Sequence, residues 1–322
     1  MPDTDIKRCN SYSYGYQRMI DKRQGRAAVM GCLIVIVVLV ILNLNSIQTF
    51  AIMESLVPMK NFGITKMVAR DREPAFNKEL QNLRQKGLSA SLEGVDLSRM
   101  SEEELLLTAH SYLDNAVVIC RRKLRMGNMG DGGWEICDDP DVRPRPPCII
   151  YSFGINYDFS FDDDASNVYG CHVYSFDPSM KKFEDHVERS KLVHFYKIGL
   201  SDSSTTTQDK WKMKTLADIR TMLGHDNVTI DVIKMDIEWS EWPAIPEMIR
   251  SGQLKSVRQL MVEYHLVGTS RRYMLPRLQT IQAVERAGFK KYYVHKNPAC
   301  VTRISGFPVA RTMCYEVHYV NF

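Results

Sequence analysis

Apolar runs and stretches of helical spacing alternate along most of the chain. Residues 149–153 form a short apolar strand pattern, bounded by Pro146-Pro147 on one side and Gly154 on the other. A second run, 172–176, ends in Asp177-Pro178. A buried strand, a turn with glycine, a helix-length gap and a second strand ending in an acid describe a nucleotide-binding half-fold, or else an ordinary βαβ unit with a capping Asp. Upstream, Ser101-Glu102-Glu103-Glu104 reads as a capping box opening a helix that carries Leu105, Leu106, Ala109, Leu113, Ala116 and Val117. Residues 126–147, rich in Gly, Asp and Pro, read as a turn-rich approach that folds over the site.

Beyond Asp177 the pattern predicts a helix over 179–189, a strand over 192–198 and a turn at Gly199-Leu200-Ser201-Asp202. A polar hairpin over 201–213 and a helix over 214–223, stopped by Gly224, come next. The strand 229–235 ends in Asp236-Ile237-Glu238, and Ser240 caps a helix running to about Arg250, with Pro243 in its first turn. The strand 259–264 closes on Glu263-Tyr264-His265, followed by a helix over 275–287 and strands over 290–294 and 314–320. Strand and helix alternate until the last two strands, which only a loop separates. That order implies an open, mainly parallel α/β sheet with helices on both faces and an antiparallel strand near its end.

Residues 27–42 are sixteen apolar residues without charge or proline, and a span of 27–44 suits a thin bilayer. Residues 1–26 carry six Lys/Arg against three Asp, and no further Lys or Arg occurs until Lys60. The positive-inside rule then makes 1–26 a cytosolic tail and 27–44 a single type II anchor in the endoplasmic reticulum or Golgi, with a cleaved signal peptide and secretion as the rival. Residues 45–100 read as a stem and 101–322 as the folded α/β domain. The chain of 322 residues is 44% hydrophobic and 25% charged, which is ordinary globular composition. Its net charge is +4, of which the tail supplies +3, so the remainder gives no reason to expect a nucleic-acid partner.

Of eight cysteines, six follow the apolar run: Cys120, Cys137, Cys148, Cys171, Cys300 and Cys314. None has CxxC spacing and no histidine stands at zinc-ligand spacing, which argues against a metal. An oxidising compartment would allow three disulfides, with Cys148–Cys171, Cys300–Cys314 and Cys120–Cys137 as candidate pairs among fifteen connectivities. Asn227-Val228-Thr229 is a glycosylation sequon. The run Asp162-Asp163-Asp164 lacks the spaced ligands of a calcium loop and reads as a solvated helix start.

Several motifs together carry a resemblance. Thr215-Leu216-Ala217-Asp218 followed by Val232-Ile233-Lys234-Met235-Asp236-Ile237-Glu238-Trp239-Ser240-Glu241-Trp242 resembles the signature of FkbM-type methyltransferases, as does the Leu200-Ser201-Asp202 turn. With Ser152-Phe153-Gly154, the run 170–179, the run 130–134 and the N-terminal apolar segment, the chain resembles the methyltransferase-like protein 24 group over roughly 105–322. It departs from the pattern at Trp239, where FkbM proteins usually have Gly, and in its glycine-poor first motif.

The resemblance implies a class I, Rossmann-like fold of seven strands and S-adenosylmethionine as cofactor. Ser152, Phe153 and Gly154 would line the methionine end, Asp177 would bind the ribose, and Leu200, Ser201 and Asp202 would border the adenine. Asp236 would sit at the mouth between donor and acceptor, with Glu238. Methyl transfer to a hydroxyl needs alignment and a base, and Asp236, Glu238, Glu263 and His265 are the candidates. Three functions are compatible with these residues: a membrane-anchored methyltransferase acting on an oxygen acceptor such as a glycan, a non-catalytic scaffold of the same fold, or a dinucleotide oxidoreductase. The missing GxGxxG speaks against the last.

Overall fold

The computed structural model describes residues 91–322 apart from 305, 306 and 308. The apolar run 27–44, with its tail and most of the stem, lies outside the described residues. Among those described, no helix is long and apolar enough to cross a membrane.

Helix α1 (Glu102–Leu113) starts on a capping box: Ser101 accepts from the Glu104 N–H while the Glu104 carboxylate accepts from the Ser101 N–H. A hairpin follows, β1 (Lys123–Met126) against β2 (Trp134–Cys137), inside the stretch expected to be loop. Five parallel strands form the centre of the domain: β3 (Ile149–Phe153), β4 (His172–Phe176), β6 (Val193–Tyr196), β10 (Ile230–Met235) and β11 (Val257–His265). The last strands, β12 (Lys290–Lys296) and β15 (Cys314–Val320), are antiparallel, with β15 wedged between β12 and β11. With β5 at His186–Glu188, the spatial order is β12-β15-β11-β10-β3-β4-β6-β5, and β13 (Val301–Thr302) pairs with β14 (Arg311–Thr312) apart from it.

The sheet therefore has eight strands rather than seven. The eighth, β5 (His186–Glu188), pairs antiparallel with β6 at the edge where a helix over 179–189 was expected. His186, Val187 and Glu188 alternate outward and inward, and the imidazole of His186 stacks on Tyr196 at 4.4 Å. A small three-stranded sheet of β7 (Gly199–Leu200), β9 (Lys212–Lys214) and β8 (Thr205–Thr206) contains the hairpin anticipated over 201–213.

Alternation along the strands divides the core in two. Tyr151, Phe153, Ile233, Val262 and Tyr264 point to a face covered by α1, α3 (Leu216–Leu223), α4 (Glu241–Arg250) and α5 (Arg271–Arg286). Ile150, Val173, Val232 and Met261 point the other way, under α2 (Ser160–Tyr169) and the β1–β2 hairpin. Packing on α5 begins ahead of Ser101, since Leu92 is buried and its N–H donates to Glu285 at 2.7 Å. All three candidate disulfides are formed: Cys120–Cys137, Cys148–Cys171 and Cys300–Cys314.

The acidic run at the start of α2 is solvated only in part, with Asp163 half-buried and Asp164 exposed. Asp162 is buried and accepts from the Ser175 hydroxyl at 2.5 Å. Asp163 pairs with Arg189 at 2.6 Å, and Asp164 accepts from the Gly127 N–H at 2.8 Å. Each acid ties the helix to a different neighbour.

Arg220 on α3 is buried. It donates to the carbonyls of His225, Gln253, Asp226 and Val228 and to the Ser256 hydroxyl, at 2.6–3.3 Å. Lysine lacks the planar fork that reaches all five acceptors. Arg220→Lys is expected to lower unfolding free energy by about 3 kcal/mol, read as a reduced urea midpoint with unchanged slope.

Candidate active site

Strand order reverses between β3 and β10: the chain runs outward through β4 and β6, then returns to β10 and β11. In open α/β sheets, ligands bind outside the carboxyl ends of the strands at such a switch point. Gly154 follows β3 there with φ of +77°, and a Cβ on it would stand 1.6 Å from the carbonyl oxygen of Asp236, just past β10. Lys234, buried within β10, donates to the Gly154 carbonyl at 2.7 Å and the Phe153 carbonyl at 3.3 Å, holding the turn.

Asp177, at the end of β4, is buried and turned toward its own chain. One oxygen accepts from the N–H groups of Ile155 and Asn156 at 2.9 and 2.7 Å. The other accepts from the Ser179 N–H and hydroxyl at 2.7 and 2.6 Å. Four protein donors satisfy the carboxylate, and the two from Ile155 and Asn156 fix the turn after β3, in which Asn156 and Tyr157 have φ of 44° and 66°.

Ser152, Phe153 and Leu200 have buried side chains, and Phe153 stacks on Phe176 at 4.7 Å in the core. The structure brings only the backbone of these residues to the strand ends. Ser201 is half-buried, and Asp202 is exposed, accepting only from the hydroxyls of Ser201 and Ser203 at 3.3 and 3.2 Å. A cavity of about 430 Å³ is lined by Arg143, Arg145, Asp231 and Arg258 at the opposite end of the sheet.

Beyond the ends of β10 and β11, Asp236, Glu238 and His265 come together with ligating atoms within 4.8 Å of one another. The His265 Nδ1 lies 3.1 Å from Oε1 of Glu241, which also accepts from the His265 N–H at 3.1 Å. The Nε2 faces Oε2 of Glu238 at 3.5 Å and Oε2 of Glu263 at 3.8 Å. Burial works against charge on the imidazole, but the bond to Glu241 and the charges of Glu241, Glu263 and Glu238 outweigh it and push His265 up to about 9. Burial, reinforced by Asp236, pushes the Glu263 carboxyl up as well.

Asn297 bridges this cluster to the hairpin, donating to Glu263 at 3.0 Å and to Asp131 at 3.3 Å. The turn between β1 and β2 thus folds over the site, as its composition implied. Trp239 stands beside His265 with ring centroids 5.7 Å apart and φ of +77°, a conformation suited to glycine. Arg277 lies over both Trp239 and Trp242, at 5.7 and 5.4 Å.

Sequence reasoning missed Lys234 and Glu241 as parts of the site. A lysine inside the otherwise apolar run Val232-Ile233-Lys234-Met235 was a signal for the first. For Glu241 there was none, because an acid in the first turn of a helix is ordinary. Ser240, expected to cap α4, holds the N-cap position in αR geometry without a side-chain cap bond.

A family profile described as "Methyltransferase domain" matches residues 98–310. A rat protein named "Probable methyltransferase-like protein 24" (Rattus norvegicus) is 23% identical over 237 residues, 66% of this chain and 63% of that one. The human protein of the same name (Homo sapiens) is 26% identical over 144 residues, 41% of this chain and 38% of that one. The chain thus spans less than two thirds of the length of the curated relatives it matches. Among solved structures, a precorrin-6y C5,15-methyltransferase from Geobacter metallireducens GS-15 is similar at 9% identity and a TM-score of 0.30, over 56% of this chain and 84% of that one.

Proposed function

We propose that this chain, which belongs to the methyltransferase domain family, transfers a methyl group from S-adenosylmethionine to an oxygen acceptor, with a glycan of the secretory pathway as the acceptor class. The observation that carries the reading is the switch point itself, where Gly154 and Asp236 meet at the carboxyl ends of β3 and β10 with Glu238 and His265 beside them. An exposed Asn227 sequon and three disulfides support a luminal domain, anchored by 27–44 with 1–26 in the cytosol.

When bound, the cofactor supplies an electrophilic methyl on a sulfonium, and the chain's task is alignment and proton removal. Asp202 fits a nucleoside hydroxyl better than Asp177 does, because its carboxylate is exposed and meets only two serine hydroxyls. Glu238, with its side chain 78% exposed, is placed to take the acceptor's proton on a carboxylate oxygen. Burial opposes charge on His265, but the bond to Glu241 and the surrounding carboxylates push it up to about 9, which suits it less than Glu238 to the role of base.

A scaffold that kept the fold is the second reading, favoured by the saturation of Asp177 with protein donors. Calorimetric titration of S-adenosylmethionine and NAD⁺ into the full chain, made under oxidising conditions, separates the readings. Saturable binding of S-adenosylmethionine is expected, weakened about tenfold or more by Asp202→Ala, since one hydrogen bond to a charged group is at stake. A folded chain that binds neither ligand supports the scaffold, and binding of NAD⁺ alone supports an oxidoreductase.

A further inference from the structure

We propose that Asp236, Glu238 and His265 form a divalent-cation site at the mouth of the crevice, with Glu263 beside it. Their ligating atoms lie within 4.8 Å of one another and belong to one loop and one strand end, close enough for a single ion to draw all three together. Ligands about 2.1 Å from a common ion stand roughly 3.0–3.5 Å apart in octahedral or tetrahedral array. Glu238 and Glu263 stand 3.5 and 3.8 Å from Nε2, longer than a charge-assisted hydrogen bond and close to that ligand–ligand spacing.

The imidazole is held as a ligand is held. Its Nδ1 and backbone N–H both point to Oε1 of Glu241, which fixes the ring and leaves Nε2 facing the two carboxylates. A carboxylate behind a ligating histidine is the usual outer shell of such sites. Glu241 is wholly buried and its second oxygen has no hydrogen-bond donor among the described residues, while its charge acts on Arg277. A second grouping, Glu263, His265 and Cys314, offers no thiolate because Cys314 is bonded to Cys300.

One imidazole with two or three carboxylates suits Mn²⁺ or Zn²⁺ better than a hard-oxygen ion alone. The exposed side of Glu238 leaves coordination positions open to solvent or to an acceptor hydroxyl. On the reading of this crevice as a methyltransferase site, a cation there would polarise that hydroxyl and ease loss of its proton to a carboxylate. Binding itself does not depend on that reading, because it is measured without S-adenosylmethionine.

The test uses the full chain, stripped with chelator, titrated with Mn²⁺ by electron paramagnetic resonance and with Zn²⁺, Mg²⁺ and Ca²⁺ by calorimetry. One Mn²⁺ or Zn²⁺ per chain is expected, bound at least about tenfold more weakly by Glu238→Ala and by His265→Gln. Because the Glu238 side chain is largely exposed, its removal leaves the fold intact. A folded chain that binds neither ion, or binding that survives either substitution at full strength, overturns the site whatever the outcome with S-adenosylmethionine.

Discussion

Gly154→Ala is expected to cost at least about 4 kcal/mol of stability and to remove cofactor binding with it. The added methyl would stand 1.6 Å from the Asp236 carbonyl oxygen and 2.7 Å from its carbon, both backbone atoms of the neighbouring loop. No side chain can swing aside, so the turn after β3 must leave the end of β10. That movement breaks the two bonds from Lys234 and pulls the Ile155 and Asn156 N–H groups away from Asp177. Gly224→Ala is the control: Gly224 has a similar φ of +71° with nothing within 4 Å, so only the left-handed backbone penalty of about 1 kcal/mol applies. Urea unfolding of both variants measures the difference. Equal midpoints would show that the β3 and β10 loops are not in contact.

Raising pH from 6 to 9 is expected to weaken the domain, and Glu316→Gln to remove much of that loss. Glu316 on β15 lies directly opposite Glu263 on β11 in the antiparallel register, and both are buried. Like charges so placed repel. Burial first, then the charges of Asp236 and Asp131, push the Glu316 carboxyl up to about 8. His295, whose Nδ1 is 3.0 Å from Glu316, is its nearest partner. A carboxyl whose folded value exceeds its unfolded value near 4.5 contributes stability that is complete below 4.5 and is lost as pH rises through 8. The gap corresponds to something on the order of 5 kcal/mol at alkaline pH. Glutamine keeps the shape and carries no charge to bury. Urea midpoints at pH 6 and 9, in chelator, should fall steeply for the native chain and much less for Glu316→Gln. An identical fall in both would remove Glu316 as the source.

Cys314 to Val320 and the strand before Gly154 were legible because their apolar runs are short, bounded and free of competing helical spacing. The capping box at Ser101 was legible because its bonds close within four residues. The run over 179–189 was misread because its mixed charges resemble an exposed helix. What decides its structure is the free edge of β6, which takes β5 as a partner. Asp162 was misread for a similar reason, since only the arrival of Ser175 from the next strand makes a buried place for it.

The sequence by itself determined the order of the seven strands of the main sheet other than β5 and of the helices that follow Gly199, the acids at strand ends and the glycine at the first turn, because those depend on residues near one another in the chain. Only the tertiary structure decided what the acids face. Asp177 turns to a loop 21 and 22 residues away, and Glu241 reaches His265 across 24. Glu263 meets Glu316 by strand register alone. Side-chain partners at that separation are set by how whole elements pack, and periodicity along a single segment carries no record of it.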